Sequence, residues 1–196
     1  MPVRLTATAR REQLLDVALP IFARQGYHGT SMNEVADAAG VTKPVLYQHF
    51  ESKRDLFLAL LEAVGGKLIE AITKATTDAG SGKSQTELGF RAYFRWVHDD
   101  HDAFMLLFGS GARRDEEFAE AVRKVEDHTA DAIAPLIAAD VDSAHRRTVA
   151  FGLVGLAEGV SRQLVTDSLR FDPDVIAQQV ADLAWAGLRA IHPISV

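Results

Sequence analysis

The side chains with the plainest chemical purpose lie in one run, Thr42-Lys43-Pro44-Val45-Leu46-Tyr47-Gln48-His49. A hydroxyl, an ammonium, a phenol, an amide and an imidazole at this spacing suit hydrogen bonding to base edges and phosphate oxygens outside the protein. Sets of residues for making or breaking bonds are missing. The chain has no cysteine and neither a GxSxG elbow nor an HExxH motif. Gly80-Ser81-Gly82-Lys83-Ser84 imitates the end of a phosphate-binding loop, but Thr77 stands where such a loop needs glycine and no strand pattern precedes it. His98-Asp99-Asp100-His101 offers ligand-type groups without a third ligand, which reads as a solvated helix end. No catalytic residue, metal or cofactor is expected.

The elements that must position Thr42–His49 are short helices. Ser31-Met32-Asn33-Glu34 is a capping-box pattern that starts a helix presenting Val35, Ala36 and Ala39. That helix stops at Gly40, which accepts a left-handed backbone without steric cost, and Val41 can plug the angle to a third helix reaching about His49. Leu46 and Phe50 are four apart and share a face that docks on the preceding helices, leaving Pro44, Val45, Tyr47 and Gln48 outward. Two short helices and a tight turn make a helix-turn-helix, whose second helix enters the major groove.

Net charge taken alone opposes this reading, because the 196 residues carry 21 Lys/Arg against 27 Asp/Glu, a balance of −6. The average hides an asymmetry. Residues 1–60 hold seven basic and six acidic side chains, a balance of +1, so the acidity belongs to the rest of the chain, at −7. At 47% hydrophobic residues the chain can bury a core and a small satellite domain. The longest stretches without charge, Ala103–Ala112 and Thr148–Ala157, run ten residues, short of the roughly 18 that span a bilayer. With no secretory signal pattern and no cysteine, a cytoplasmic location without membrane association is expected.

Apolar residues recur at three- and four-residue steps throughout, so an all-α fold of about nine helices is expected. The first helix runs from about Arg10 to Gln25, kinked by Pro20 and capped by Gly26, with a loop over 27–30. A fourth starts at Ser52-Lys53-Arg54-Asp55 and reaches about Thr77. Asp78–Ser84 is a surface loop, and further helices fall near 85–99, 102–109, 115–139, 143–169 and 173–191.

Residues 14–61 resemble the DNA-binding domain of TetR-family transcriptional regulators. The resemblance rests on Thr30-Ser31-Met32, Val35-Ala36, Ala39-Gly40-Val41-Thr42, Leu46-Tyr47-Gln48-His49-Phe50 and Ser52-Lys53-Arg54-Asp55-Leu56. It implies a three-helix DNA-binding domain over 10–56 and a larger helical ligand-binding and dimerisation domain over 57–196. Thr42, Lys43, Pro44 and Val45 begin the recognition helix, with Lys43 able to donate to guanine and Pro44 and Val45 able to meet thymine methyls. Tyr47 and His49 resemble the family's phosphate-contacting pair, which sets register rather than sequence choice. Lys53, at a helix start, reads as another phosphate anchor or as a solvated lysine. Thr30 or Ser31 could offer a hydroxyl and amide to a phosphate, and Ser31 serves equally as a cap alone. Arg4, Arg10 and Arg11 add non-specific attraction.

Seven of the fifteen aromatic residues fall within 90–118. In the family the helices after the head enclose a small-molecule pocket, for which Phe90, Tyr93, Phe94, Val97, Phe104, Phe108, Phe118 and Val122 are candidates suiting an apolar effector. An ordinary core stripe explains them too. His98, His101, Arg113 and Arg114 are candidates for orienting a polar group on such a ligand, the arginines a carboxylate or phosphate. Gly152, Gly155 and Gly159 lower helix propensity unless another helix approaches closely, either in the same chain or in a second copy. With Ile176, Val180, Leu183 and Leu188 they match the family's last two helices, which form a four-helix dimer interface.

The sequence thus reads as a homodimeric, TetR-like DNA-binding regulator, a repressor released from a palindromic double-stranded operator when a lipophilic small molecule binds. The rival reading is a helical small-molecule-binding or enzymatic protein whose helix-turn-helix is only scaffold. A head with few placed donors should show a shallow salt dependence compared with strongly basic DNA binders.

Overall fold

Helical periodicity closes into helices through the described residues. The computed structural model describes residues 5–109, 116–137, 139–166 and 171–192, and among them there are nine α-helices, one 3-10 turn and no strand. In chain order these are α1 (Ala7–Gly29), α2 (Met32–Ala38), α3 (Lys43–His49), α4 (Lys53–Thr76), α5 (Gly82–Asp99), α6 (His101–Phe108), α7 (Glu116–Ile133), the 3-10 turn Ala134–Leu136, α8 (Ser143–Thr166) and α9 (Pro173–Leu188).

Two compact units emerge. The first comprises Met1–Val64 with Asp102–Val122, the second Gly65–His101 with Arg123–Val196. The first unit thus joins the first 64 residues to a segment distant in sequence. The physical reason is aromatic: Phe118 packs its ring 4.6 Å from Phe57 and 4.5 Å from Tyr27, and all contact with solvent is lost at Phe118. Leu14, Ala18, Val35, Leu46, Phe50, Leu56 and Leu61 are likewise fully buried in this unit.

Local chemistry sets the helix ends. Thr6 caps α1 by accepting from the Ala9 amide at 3.2 Å, so the helix starts earlier than its apolar pattern indicates. Pro20 leaves the dihedrals helical; the break comes at Gly26, with φ 69 and ψ 175, and the expected loop after it is one more helical turn. Ser31 Oγ accepts from the Glu34 amide at 3.2 Å, whereas the Glu34 carboxylate takes Gln25 Nε2 instead of returning to Ser31. Ser52 caps α4 through the Asp55 amide at 3.0 Å. Ser81 caps α5, which makes Gly82–Ser84 its first turn and shortens the expected surface loop.

In the second unit α5 and α9 form the main helix pair, with Gly82 lying so close to Trp185 that a Cβ would come within 3.3 Å of its ring. Asp172 and Pro173 open α9 as expected, Asp172 Oδ1 accepting from the Asp174 amide at 2.9 Å. Arg147 on α8 reaches Asp131 at 2.7 Å and Asp127 at 3.0 Å on α7, and lies 4.7 Å over the Phe151 ring. Between α4 and α7, a Cβ on Gly65 would fall 2.7 Å from Val125 Cγ1.

Val125 is β-branched and 7% exposed, so it has little room to move aside. Gly65→Ala should destabilise the protein by about 1–3 kcal/mol despite the better helix propensity of alanine. Adding Val125→Ala should recover part of that loss, a non-additivity readable in a double-mutant cycle of denaturant melts.

Candidate nucleic-acid interface

The outward face of α3 exists because its inward face is spent. Leu46 and Phe50 have no exposed surface, and the tight turn before the helix is made by Gly40 at φ 64, with the Val41 amide donating to Ala36 O at 3.0 Å. On the opposite face Thr42, Lys43, Pro44, Tyr47 and Gln48 are exposed, while Val45 and His49 are half-buried. Tyr47 keeps 41% of its surface in solvent, a large exposure for an aromatic residue on a packed helix. Lys43 Nζ stands 5.9 Å from the centre of the Tyr47 ring, one turn along the same face. Thr42 caps α3 by position without a side-chain cap bond. Ser31, although it caps α2, is exposed and still has its own hydroxyl proton to donate. Arg11 places its guanidinium 4.9 Å over the Phe50 ring, beside the end of α3.

Two of the ten residues expected at this interface are turned inward. Thr30 is 2% exposed and its Oγ1 donates to Gly26 O at 2.9 Å, so its hydroxyl closes the α1 break rather than facing outward. Lys53 Nζ donates to Tyr27 O at 2.9 Å and to Thr30 O at 3.0 Å and sits 4.4 Å over the Tyr27 ring. The side chain is half-buried, with its ammonium engaged within the head. Arg10 bonds Gln13 at 2.6 Å.

The eight apolar pocket candidates are all buried, between 0% and 6% exposed, but they divide between the units. Phe90, Tyr93, Phe94 and Val97 line the inner face of α5, with Tyr93 and Phe94 edge to face at 5.3 Å. Phe104, Phe108, Phe118 and Val122 belong to the head's unit, Phe104 and Phe108 lying 5.4 Å apart. Arg113 and Arg114 lie outside the described residues. His98 is held by Asp99 at 2.9 Å and by the edge of Phe171. Among the described residues no group of three His, Asp or Glu side chains is placed to hold a metal ion.

The inner face of α8 holds polar groups that sequence reasoning missed. Glu158 is 7% exposed and pairs with Arg162; Ser161 has no exposed surface, and its hydroxyl has no hydrogen-bond partner among the described residues. Two polar residues three apart in an otherwise apolar stripe, Ala150, Ala157, Glu158 and Ser161, were the available signal. The outer face behaves differently. A Cβ on Gly152, Gly155 or Gly159 would meet nothing within 4 Å, so close packing inside the described chain does not account for these glycines. Leu183 on α9 is 64% exposed and Ile176 and Leu188 are half-buried, but Val180 is 6% exposed and packs inside its own unit. Within the expected interface set, Val180 is the one buried in its own chain, although it is three residues from Leu183 and four from Ile176.

Residues 14–60 match the family model described as bacterial regulatory proteins, tetR family, and residues 83–187 match a tetracyclin repressor-like C-terminal domain. The chain is 33% identical over 187 residues to the HTH-type transcriptional activator FasR of Mycolicibacterium smegmatis, covering 94% of this chain and 85% of that one. It superposes with a TM-score of 0.75 on a TetR-like transcriptional regulator from Rhodococcus sp. RHA1, 27% identical, over 96% of this chain and all of the other. The fold is also that of the transcriptional regulator FadR from Bacillus subtilis, with a TM-score of 0.76 at 19% identity, covering 92% of this chain and 99% of that one.

The start of α9 is held to α5 by charge. Asp174 accepts from Arg95 Nε at 2.9 Å and Nη2 at 2.8 Å, with Arg91 Nε at 3.7 Å. The hydrogen bonds and charge of Arg95 hold the Asp174 carboxyl below its ordinary 3.8. A carboxyl with a depressed folded-state value stabilises above its unfolded value, and that contribution is lost as pH falls through the folded one. The melting-temperature difference between the native protein and Asp174→Asn should therefore be small but present at neutral pH, begin to shrink near the ordinary 3.8 and vanish only as pH falls through the lower folded value.

Proposed function

The chain belongs to the TetR family of bacterial regulatory proteins, and from that premise we propose that it is a dimeric DNA reader whose grip on its operator is released by a lipophilic small molecule. The observation that carries the reading is the outward face of α3, where polar and apolar side chains stay in solvent opposite a fully buried Leu46 and Phe50. Lys43 donates to guanine, Pro44 and Val45 meet thymine methyls, and Thr42 and Gln48 complete the base-facing set. Tyr47, His49 and Ser31 hold phosphates and fix register. One such head is too sparsely charged to bind tightly by itself. Two heads about 34–36 Å apart would read successive major-groove faces of a palindrome.

The exposed glycine face of α8 and the exposed Leu183 of α9 supply the surface for a second copy. Glycines with open space above them admit a close helix approach, which a single described chain does not provide. In the second unit, the α5 aromatics and the unpartnered Ser161 hydroxyl suit a ligand that is mostly apolar with one hydrogen-bonding group. The Bacillus FadR structure holds stearoyl-CoA, and a long acyl thioester is the ligand class we carry over from it. Binding shifts DNA affinity only by the ligand's different affinity for the two arrangements of the dimer. Whether release lowers or raises transcription depends on where the operator lies relative to the promoter. The sequence comparison with FasR, an activator by name, adds activation to the repression expected from sequence.

Selection of duplexes from a random pool by the purified protein tests the reading, with a palindromic consensus expected and its absence fatal to the proposal. Against the selected duplex, Tyr47→Ala should weaken binding to all sequences alike. Lys43→Ala or Val45→Ala should lower discrimination at single base pairs by about 1–3 kcal/mol in competition titrations. Leu183→Glu should convert the dimer to monomers in sedimentation and abolish binding to the full palindrome while leaving the head folded.

A further inference from the structure

The chain enters the helix-turn-helix across a break. Gly26, with φ 69 and ψ 175, interrupts α1, so the hydrogen-bond ladder of that helix does not set the angle at which residues 27–30 lead into α2. Thr30 Oγ1 spans the break locally by donating to Gly26 O. The long-range tie comes from α4: Lys53 Nζ donates to Tyr27 O at 2.9 Å and Thr30 O at 3.0 Å, 26 and 23 residues away, and lies 4.4 Å over the Tyr27 ring. That ring is seated in turn on Phe57 at 5.3 Å and Phe118 at 4.5 Å.

We propose that Lys53 is a positioning residue of the DNA interface, holding the Tyr27–Thr30 segment that sets the entry to α2, and not a contact to DNA. The inference rests on reading α2 and α3 as the DNA-binding elements. A cation near the C-terminal end of a helix is favoured by the helix dipole. An ammonium has three hydrogens, and two are committed to the Tyr27 and Thr30 carbonyls. Swinging out to a phosphate would break both hydrogen bonds and strip the cation from the Tyr27 ring. Ser31, the cap of α2 and a phosphate candidate, follows Thr30 directly. Because α2 and α3 are joined by the tight Gly40 turn, a shift at residue 30 moves the α2 cap, and with it the pair.

The test compares the native protein with Lys53→Met and Lys53→Arg on the duplex that the native protein selects and on an unrelated duplex, across a salt series. Lys53→Met should lose about tenfold or more in affinity for the selected duplex, the scale of one charge-assisted hydrogen bond. Its affinity for the unrelated duplex and its slope of log affinity against log salt should stay unchanged. Lys53→Arg, which keeps charge and donors, should restore most of the loss. A phosphate contact gives the opposite pattern, with both duplexes weakened alike and a slope shallower by about 0.9 for each head. That pattern, or a Lys53→Met protein that only melts earlier while binding normally, overturns the inference and leaves the DNA-binding reading standing. A native protein that selects no duplex defeats both. Should Lys53→Met not fold, reductive methylation of the free native protein decides. Lys53 is expected to react much more slowly than the exposed Lys43, and equal rates overturn the proposal.

Discussion

Everything functional in the head depends on the burial of Leu46 and Phe50. A seven-residue helix such as α3 is far below the length at which helices persist alone in water, so α3 exists only as a docked element. Its two anchors, four residues apart and without exposed surface, fix both its position and its rotation. Rotation by one residue, roughly 100°, would bury Tyr47 and expose Leu46. The outward set of Thr42, Lys43, Pro44, Tyr47 and Gln48 is therefore a consequence of core packing, and the same packing offers the Phe50 ring as a seat for Arg11.

The charge distribution follows a similar economy. A net charge of −6 would repel a polyanion if it were spread evenly, but several body arginines are engaged within the chain. Arg95 and Arg91 converge on Asp174, and Arg147 bridges Asp127 and Asp131. These pairs are exposed and add little to stability, and their role is geometric: they tie α5 to α9 and α7 to α8. In the head, Lys43 and the polar side chains of α3 remain directed outward, so a small positive balance suffices where the donors are placed well. Lys53, by contrast, directs its ammonium to two main-chain carbonyls of the same unit.

Features set by short-range rules were legible in the sequence. The Leu46 and Phe50 spacing, the Gly40 turn, the Ser31 cap and the Asp172-Pro173 helix start each involve residues within a turn or two of one another. The misreadings arise where distant chain segments compete for the same group. Glu34 answers Gln25, Lys53 answers carbonyls more than twenty residues away, and Thr30 turns to a break created by Gly26. Phe118 joins the head because two aromatic residues of the first sixty offer it a seat, a pairing that no local pattern encodes. On α9, Val180 and Leu183 are three residues apart and share a side of the helix, so periodicity did not separate Val180, buried in its own chain, from the exposed Leu183. The α8 glycines were visible as an anomaly, and the open space above them gives it meaning.

The central claim is that paired copies of α3 read two major-groove faces on one side of a duplex. Methylation protection of guanine N7 on genomic DNA bound by the native protein tests it most directly, because N7 lies in the major groove. The account predicts two protected clusters related by a dyad and about one helical turn apart, with minor-groove positions between them still reactive. Protection confined to the minor groove, or a single unpaired cluster, would contradict it.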